Sequence, residues 1–203
     1  MNLREDRLVI SKQLTELDEE IIEFAGVLED VNVSYVIVSG YLAILTGRSR
    51  STEDIDIILE PLSESKTEDL VSTLKDRGYW GMAMPLDSMY EMLSDGDRIR
   101  VAEEGTMIPN FEVWFAGSSL ERTVLRTPLV ADFGQSTLNV SPIELQIAYK
   151  LQLAQGADSV TGKDFEDALH LYVTFGEQLN TDELERHVNE LEVERYYDEL
   201  QSA

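Results

Sequence analysis

Two acidic residues separated by one position lie in an otherwise apolar run, and this pattern limits the fold more than any other feature of the chain. The run is Asp54-Ile55-Asp56-Ile57-Ile58-Leu59. It is typical of a strand, in which successive side chains point to opposite faces of a sheet. Asp54 and Asp56 would therefore share one face, while Ile55 and Ile57 pack behind them.

The two carboxylates repel each other, and an apolar strand gains nothing from them unless a cation offsets their charge. Oxygen ligands of this kind suit hard divalent cations. Asp54 and Asp56 therefore predict a site for magnesium or manganese. The alternative is an edge strand whose acidic face is solvated.

A second apolar run, residues 35–38, ends at Ser39 and Gly40 and is followed by residues 41–45, which can form a helix. A strand, a glycine and a helix N-terminus present unpaired backbone N–H groups and the positive end of a dipole, which favour a phosphate. Gly40 would also permit unusual backbone angles and leave room for the phosphate. The sequence therefore predicts a phosphate site next to the metal site.

The order of these features resembles the nucleotidyltransferases of the DNA polymerase β superfamily: an apolar strand, Ser39-Gly40, a helix, Arg50-Ser51-Thr52, then Asp54 and Asp56. The chain is most similar to the minimal and AbiEii-like branch, which is known from toxin–antitoxin systems. The first glycine of the family is Ser39 here. The resemblance implies an α+β fold with a polymerase β-like mixed sheet flanked by helices.

The resemblance also implies roles for individual residues. It assigns the nucleoside triphosphate to Ser39, Gly40, Arg50 and Thr52, and the metal to Asp54 and Asp56. A third carboxylate comes from a later, neighbouring strand in the family, and Glu112 matches it by position, inside the strand-like run 111–115. The alternative for Glu112 is a solvent-facing strand residue.

A lysine falls on the inward face of a predicted helix. Residues 141–144 combine a capping box with a proline and start this helix. Lys150 lies beside its apolar stripe, where a lysine is costly unless its head reaches an anion. AbiEii-like proteins are similar here, with a helical lysine followed by a Lys-Asp-x-x-Asp stretch such as residues 163–167. The resemblance implies that Lys150 approaches the nucleotide phosphates and that Asp164 orients it. The alternative is a structural ion pair between the two.

The chain is strongly acidic, with 40 Asp and Glu against 16 Lys and Arg in 203 residues and a net charge of -24. The acids are scattered over every segment, which is how halophilic proteins stay soluble at high salt, and we expect a haloarchaeal or similar source. A broad basic face for nucleic acid is excluded, so any nucleic-acid substrate would need a local basic patch.

Other classes are excluded by composition. The absence of cysteine rules out disulfides, thiolate metal sites and a cysteine nucleophile. The start of the chain is acidic where a signal peptide is basic, and no apolar run reaches membrane-spanning length. We therefore expect a cytoplasmic protein without a membrane partner.

Periodicity and turn signals predict the remaining elements. We expect an amphipathic opening helix within residues 3–29, and a core of residues 1–140 on which a helical region, residues 141–203, packs. The expected helices are 64–77, 85–93, 142–155, 162–175 and 181–200, the strands 98–102 and 111–115, and the hairpin 129–132 with 136–140.

The resemblance implies metal-dependent transfer of a nucleotidyl group from a nucleoside triphosphate to an acceptor, which could be a protein hydroxyl, a tRNA or a small molecule. A role within a toxin–antitoxin system, with a cognate toxin or antitoxin as partner, is also implied. The alternative is a weakly active or inactive protein of this fold that serves as a binding or regulatory partner. Ser39 and Glu112 leave that alternative open.

Overall fold

The structure of the chain, a computed structural model, describes residues 1–4 and 6–203. The strands are β1 (Asn2–Arg4), β2 (Arg7–Val9), β3 (Tyr35–Val38), β4 (Asp54–Leu59), β5 (Tyr79–Met82), β6 (Ile99–Glu103), β7 (Asn110–Phe115), β8 (Leu129–Asp132) and β9 (Thr137–Val140). Within the described residues they form one mixed sheet of nine strands in the order β1-β2-β8-β9-β3-β4-β7-β6-β5.

Helices flank this sheet and make up the C-terminal part of the chain. They are α1 (Glu16–Asp30), α2 (Gly40–Leu45), α3 (Glu64–Asp76), α4 (Met89–Ser94), α5 (Ser119–Arg126), α6 (Ile143–Gly156), α7 (Lys163–Phe175), α8 (Thr181–Glu190) and α9 (Glu194–Ser202). Among the residues that the structure describes, no helix has both the length and the apolar character needed to cross a membrane.

Three adjacent strands at the centre of the sheet carry the predicted metal ligands. β3 runs antiparallel to β4, which aligns Val38 with Asp56. β4 runs parallel to β7, which aligns Asp56 with Glu112. Since aligned residues on neighbouring strands point to the same face, the two acids are placed side by side on it.

The opposite face of these strands packs into the main core. Ile37, Ile57 and Val113 are fully buried there. Phe24 of α1 stacks on Phe111 of β7 with ring centroids 3.9 Å apart. Because side chains alternate along a strand, this anchoring turns the neighbouring acids to the other face.

A smaller apolar cluster covers part of the acidic face. Its buried members come from the sheet and from α5 and α6, and they are Val36, Val38, Ile58, Trp114, Ala116, Val124 and Leu145. Ile58 follows Asp56 by two residues on β4, and Trp114 follows Glu112 by two on β7. The acids therefore lie at the border of an apolar, helix-covered region.

The opening helix is shorter than predicted, since α1 begins at Glu16 and the prediction of helix from residue 3 is wrong. The Thr15 hydroxyl accepts the Asp18 N–H, and the Asp18 carboxylate accepts the Thr15 N–H at 2.8 Å, which caps the helix there. Leu8 instead aligns with Ala131 of β8 and is fully buried. A pairing with distant residues thus outweighs the local helical spacing.

Two further differences lie after the central strands. The single helix predicted over residues 181–200 is broken into α8 and α9, with Glu192 between them at a φ of 55°. Helix α5 was not predicted, although Ser118 and Glu121 form a capping box at its start. The positive φ of Glu192 and the capping box of α5 are both local features, so the spacing of the surrounding apolar residues does not indicate either.

The predicted fold class is confirmed: a mixed sheet flanked by helices. The strands and helices expected between residues 64 and 175 are present within one or two residues of their predicted ends, except that the helix expected over residues 85–93 is a 3-10 helix at Leu86–Ser88 followed by α4 from Met89. The boundary expected after residue 140 falls between β9 and α6, and its meaning as a domain boundary stays a prediction.

Candidate active site

The carboxylate of Asp56 has a strongly perturbed pKa. Burial raises it from 3.8 to about 6, and the negative charges of Asp54 and Glu112 add to this, while the Ser39 hydroxyl and Arg98 act in the opposite direction. Since the folded-state pKa is raised, the contribution to stability is fully present below about 3.8 and is lost as the pH rises through about 6. At neutral pH the metal-free fold therefore holds an unfavourable charge at this position.

Two arginines, Arg98 just before β6 and Arg100 within it, lie beside the acids. Arg98 Nη1 is 3.2 Å from Glu112 Oε2, and Arg100 Nη2 is 3.1 Å from Glu112 Oε1. Arg100 also lies 3.8 Å from Asp54 Oδ2. The Arg98 guanidinium stacks on the ring of Trp114, 3.9 Å from its centroid. Glu112 is therefore neutralised by protein cations in this arrangement.

The turn between β3 and α2 has an unusual backbone conformation at Ser39. Its φ is 64° and its ψ is -131°. A side chain in such a region costs about 1–3 kcal/mol and persists only when its surroundings hold it. The unusual angles predicted for Gly40 are thus found one residue earlier, where the resembling family has its first glycine.

The peptide N–H of Ser39 is already paired, because it donates to Gln146 Oε1 at 3.0 Å. This N–H is therefore not free for the phosphate contact predicted for it. The Ser39 hydroxyl opposes the rise of the Asp56 pKa.

Gly40 leaves room for an arginine. A Cβ built on Gly40 would lie 3.0 Å from Arg50 Nη2, so a side chain at this position would push the guanidinium away. Arg50 also contacts the carboxylate of Asp167, as Arg48 does, and Asp167 is fully buried. The segment before β4 that carries Arg48 and Arg50 is thereby bound to α7, and Arg50 lies over the turn at Gly40.

Lys150 does not face the turn directly. It is 2% exposed, and its Nζ lies 2.7 Å from Asp164 Oδ1 and 3.1 Å from Asp167 Oδ2. The structure therefore contains the ion pair between Lys150 and Asp164 that the sequence left as the alternative. Its ammonium group is shielded and satisfied by carboxylates, which argues against direct contact with phosphate.

Thr52 has a local contact. Its hydroxyl donates to the Asp54 carbonyl oxygen at 2.8 Å, which shapes the entry into β4. The structure thus brings Ser39, Gly40, Asp54, Asp56 and Glu112 to one face with Arg50 beside them. Lys150 and Asp164 form a layer behind.

Two of the three predicted metal ligands, Asp54 and Asp56, have carboxylates that suit a divalent cation. Asp56 is in no ion pair within residues 1–4 and 6–203, and its carboxylate is half-buried. Asp54 has a side chain that is 40% exposed and accessible. In the same residues, no group of three or more His, Cys, Asp or Glu side chains is arranged to hold a metal. The physical reason is that Glu112 faces Arg98 and Arg100.

A pocket of about 310 Å³ opens beside the acids on the same face. The sheet contributes Val38, Ile58 and Trp114 to it, and α6 contributes Gln146, Tyr149 and Gln152. The charged residue in its lining, Glu121, accepts hydrogen bonds from Trp114 Nε1 at 2.8 Å and from the Ser118 N–H at 2.8 Å. These bonds lower the pKa of Glu121 against the effect of burial and so stabilise its negative charge. The rest of the named lining is uncharged, with aromatic and amide side chains.

Sequence reasoning missed four residues of this site. Arg98 and Arg100 flank an apolar residue in a predicted strand, so the sequence indicates that they share one face. The sequence does not indicate that Arg100 is aligned with Glu112 on the neighbouring strand. Asp167 was part of the quoted Lys-Asp-x-x-Asp stretch without a role. Gln146 gave no signal, since a lone glutamine in a helix is ordinary.

Comparison with models of protein families found none that matches this chain, and comparison with curated proteins found no match. Solved structures do match. An antigenic nucleotidyltransferase-like protein from Paracoccidioides brasiliensis is 16% identical, with a TM-score of 0.56 over 92% of this chain and 91% of that one.

The antibiotic-resistance factor ANT(2'')-Ia is also similar. Its solution structure is 12% identical, with a TM-score of 0.54 over 91% of this chain and 96% of that one. Its crystal structure with adenylyl-2''-tobramycin is 12% identical, with a TM-score of 0.51 over 93% and 98%. At these identities the likeness concerns the fold, and the chain described here has the nucleotidyltransferase fold.

Proposed function

We propose that this protein is a nucleotidyltransferase that moves a nucleotidyl group from a nucleoside triphosphate to an acceptor hydroxyl, with Mg²⁺ or Mn²⁺ at Asp54 and Asp56. The observation that carries this proposal is the half-buried carboxylate of Asp56, whose pKa is raised to about 6 and which has no ion-pair partner in the described chain. Such a group beside a strained strand–helix turn is a mark of a functional site.

In the proposed reaction the acceptor oxygen attacks the α-phosphorus, the bond to the bridging oxygen breaks, and pyrophosphate leaves with that oxygen. The metal, when bound, neutralises charge on the phosphates and lowers the pKa of the acceptor hydroxyl. The start of α2 at Gly40 binds the triphosphate through backbone N–H groups, and Arg50 adds positive charge above them. The acceptor proton passes to a carboxylate of the acidic face.

Lys150 supports this site indirectly. It contacts Asp167, which also contacts Arg50, and the Arg50 guanidinium lies over Gly40. We assign Lys150 the role of fixing Asp167, and Asp164 the role of holding the lysine in place. This replaces the direct phosphate contact that the resemblance implies for Lys150.

Glu112 has two roles in the proposal. Before substrate binds, it is paired with Arg98 and Arg100. A triphosphate brings negative charge that competes for both arginines, and release of Glu112 would then let it act as the third ligand.

The pocket lined by α6 supports binding of the uncharged ring of a nucleoside next to Ile58. Ile58 lies two residues beyond Asp56, roughly 7 Å along the strand, so a nucleoside attached to an α-phosphate at Asp56 would reach the pocket.

A second candidate is a weakly active or inactive member of the fold that serves as a binding or regulatory partner. The pairing of Glu112 with both arginines favours it, because no third carboxylate then faces the predicted metal position. A place in a toxin–antitoxin system, in the AbiEii-like branch, belongs to either candidate and rests on the sequence resemblance. The haloarchaeal source rests on the acidic composition.

The first prediction concerns transfer itself. Incubation with each α-labelled nucleoside triphosphate in a cell lysate at high salt should label one acceptor class, because the label stays with the nucleotidyl group. Asp54→Asn should reduce labelling by about 10²-fold or more, since charge stabilisation at the reacting phosphate is lost. Labelling that is equal with wild type and variant would remove the proposal of catalysis and leave the binding candidate.

The second prediction concerns the metal. Calorimetry at neutral pH should show Mg²⁺ or Mn²⁺ binding that disappears in Asp56→Asn, because the half-buried carboxylate is lost. The metal-free variant should be more stable than wild type by roughly 1–2 kcal/mol at pH 7, since an unfavourable, partly desolvated charge is removed. Glu166→Gln, an acid on α7 whose partner is Arg48, is the matched control and should bind the metal normally. Metal binding by Asp56→Asn would move the site elsewhere.

The third prediction concerns the pocket. Leu120→Trp fills it from α5 and should weaken binding of nucleoside triphosphates by about tenfold, while inorganic tripolyphosphate binds as before. Val173→Trp, at a side chain that is 70% exposed on α7, is the control for added bulk. If Leu120→Trp leaves nucleotide affinity unchanged, the pocket does not hold the nucleoside.

The fourth prediction concerns salt. A net charge of -24 destabilises the compact state through self-repulsion, so the midpoint of thermal unfolding should rise with added potassium chloride. Screening of exposed charges is largely complete once the Debye length falls below about 8 Å, so a further rise toward molar salt would show ion binding or stronger apolar burial. A midpoint that stays flat from low to molar salt would refute the halophilic interpretation.

A further inference from the structure

The side-chain amide of Gln146 is directed at the backbone of the strained turn. Gln146 lies in α6, is 1% exposed, and its Oε1 accepts the Ser39 N–H at 3.0 Å. Its Nε2 lies 3.5 Å from the Ser39 carbonyl oxygen, a longer contact. Both polar ends of one buried amide thus face both polar groups of one residue, 107 positions away in the chain.

This contact occurs where the backbone most needs support. At a φ of 64° and a ψ of -131°, Ser39 occupies a region that glycine enters freely and other residues rarely enter. The turn that follows starts α2 and sets the direction of its first N–H groups. A relaxed Ser39 would rotate those groups, and it would also shift its own hydroxyl relative to Asp56.

We infer that Gln146 is a positioning residue for the phosphate turn, the turn at Ser39 and Gly40 where the proposed function places the triphosphate. Gln146 compensates there for serine at a glycine position. This inference rests on the proposed function for its consequence in triphosphate binding. Ser39 keeps a hydroxyl that a glycine would lack, and that hydroxyl lowers the pKa of Asp56. The amide of Gln146 supplies the fixed partner that holds the serine backbone in the required conformation.

The test uses the full chain and a rescue. Gln146→Leu replaces the amide with a branched apolar side chain and removes both contacts, so the KM for triphosphate should rise by about tenfold, with a smaller change in kcat. Adding Ser39→Gly should bring the KM back to within about threefold of Ser39→Gly alone, because glycine adopts this conformation without a clamp. A merely structural glutamine gives no such rescue.

Gln155→Leu is the matched control, since Gln155 lies on the same helix and donates to the distant Glu192 carbonyl oxygen. It should leave the KM unchanged. A wild-type KM in Gln146→Leu, or a loss that Ser39→Gly does not restore, would overturn the inference.

A second measurement separates this inference from the proposed function. If the wild-type protein binds no triphosphate, the proposed function fails, but the clamp is still measurable by unfolding. The stability lost in Gln146→Leu should then be about halved when position 39 is glycine, because the two residues are coupled. Additive effects of the two substitutions would contradict the clamp.

Discussion

The buried carboxylate of Asp167 is the interaction on which the arrangement of the site depends. It binds three cations: Arg48 and Arg50 from the segment before β4, and Lys150 from α6. A fully buried carboxylate left without its partners costs about 3–5 kcal/mol, whereas an exposed pair such as Arg186 with Glu190 contributes about 0–1 kcal/mol. The C-terminal helices and the segment before β4 are therefore coupled through one charge, and the position of Arg50 over the turn at Gly40 follows from α7.

The distribution of positive charge bears on how an acidic protein would receive a triphosphate in the proposed function. The net charge of -24 creates a field that repels anions over most of the surface. Yet five of the 16 Lys and Arg residues are gathered around the site, namely Arg48, Arg50, Arg98, Arg100 and Lys150. The first two and Lys150 pair with Asp167, and Arg98 and Arg100 pair with Glu112. The negative charge of these carboxylates is thus locally offset, and in the proposed function an arriving phosphate would compete with them for cations that are already in place.

Local patterns predicted the parts of the fold that local physics determines. The alternation in residues 54–59 was enough to predict a strand and the common face of its two acids, because the core behind needs every second side chain. The opening hairpin could not be predicted, since Leu8 is buried against a strand more than 120 residues later. The pairing of Glu112 with Arg100 and the contact of Gln146 with Ser39 depend in the same way on register and packing between distant elements.

The order of features along β4 gives the site a direction. Ser39 and Gly40 follow Val38, which is aligned with Asp56, so the antiparallel pairing places the phosphate turn toward the Asp54 end of the strand. The pocket lies toward Ile58, at the other end. In the proposed function, a substrate that spans this face would have its anionic part where Arg50 and α2 supply positive charge, and its uncharged part among the aromatic and amide side chains of the pocket. Asp56 lies between the two regions, at the position where the proposal places the bond that is exchanged.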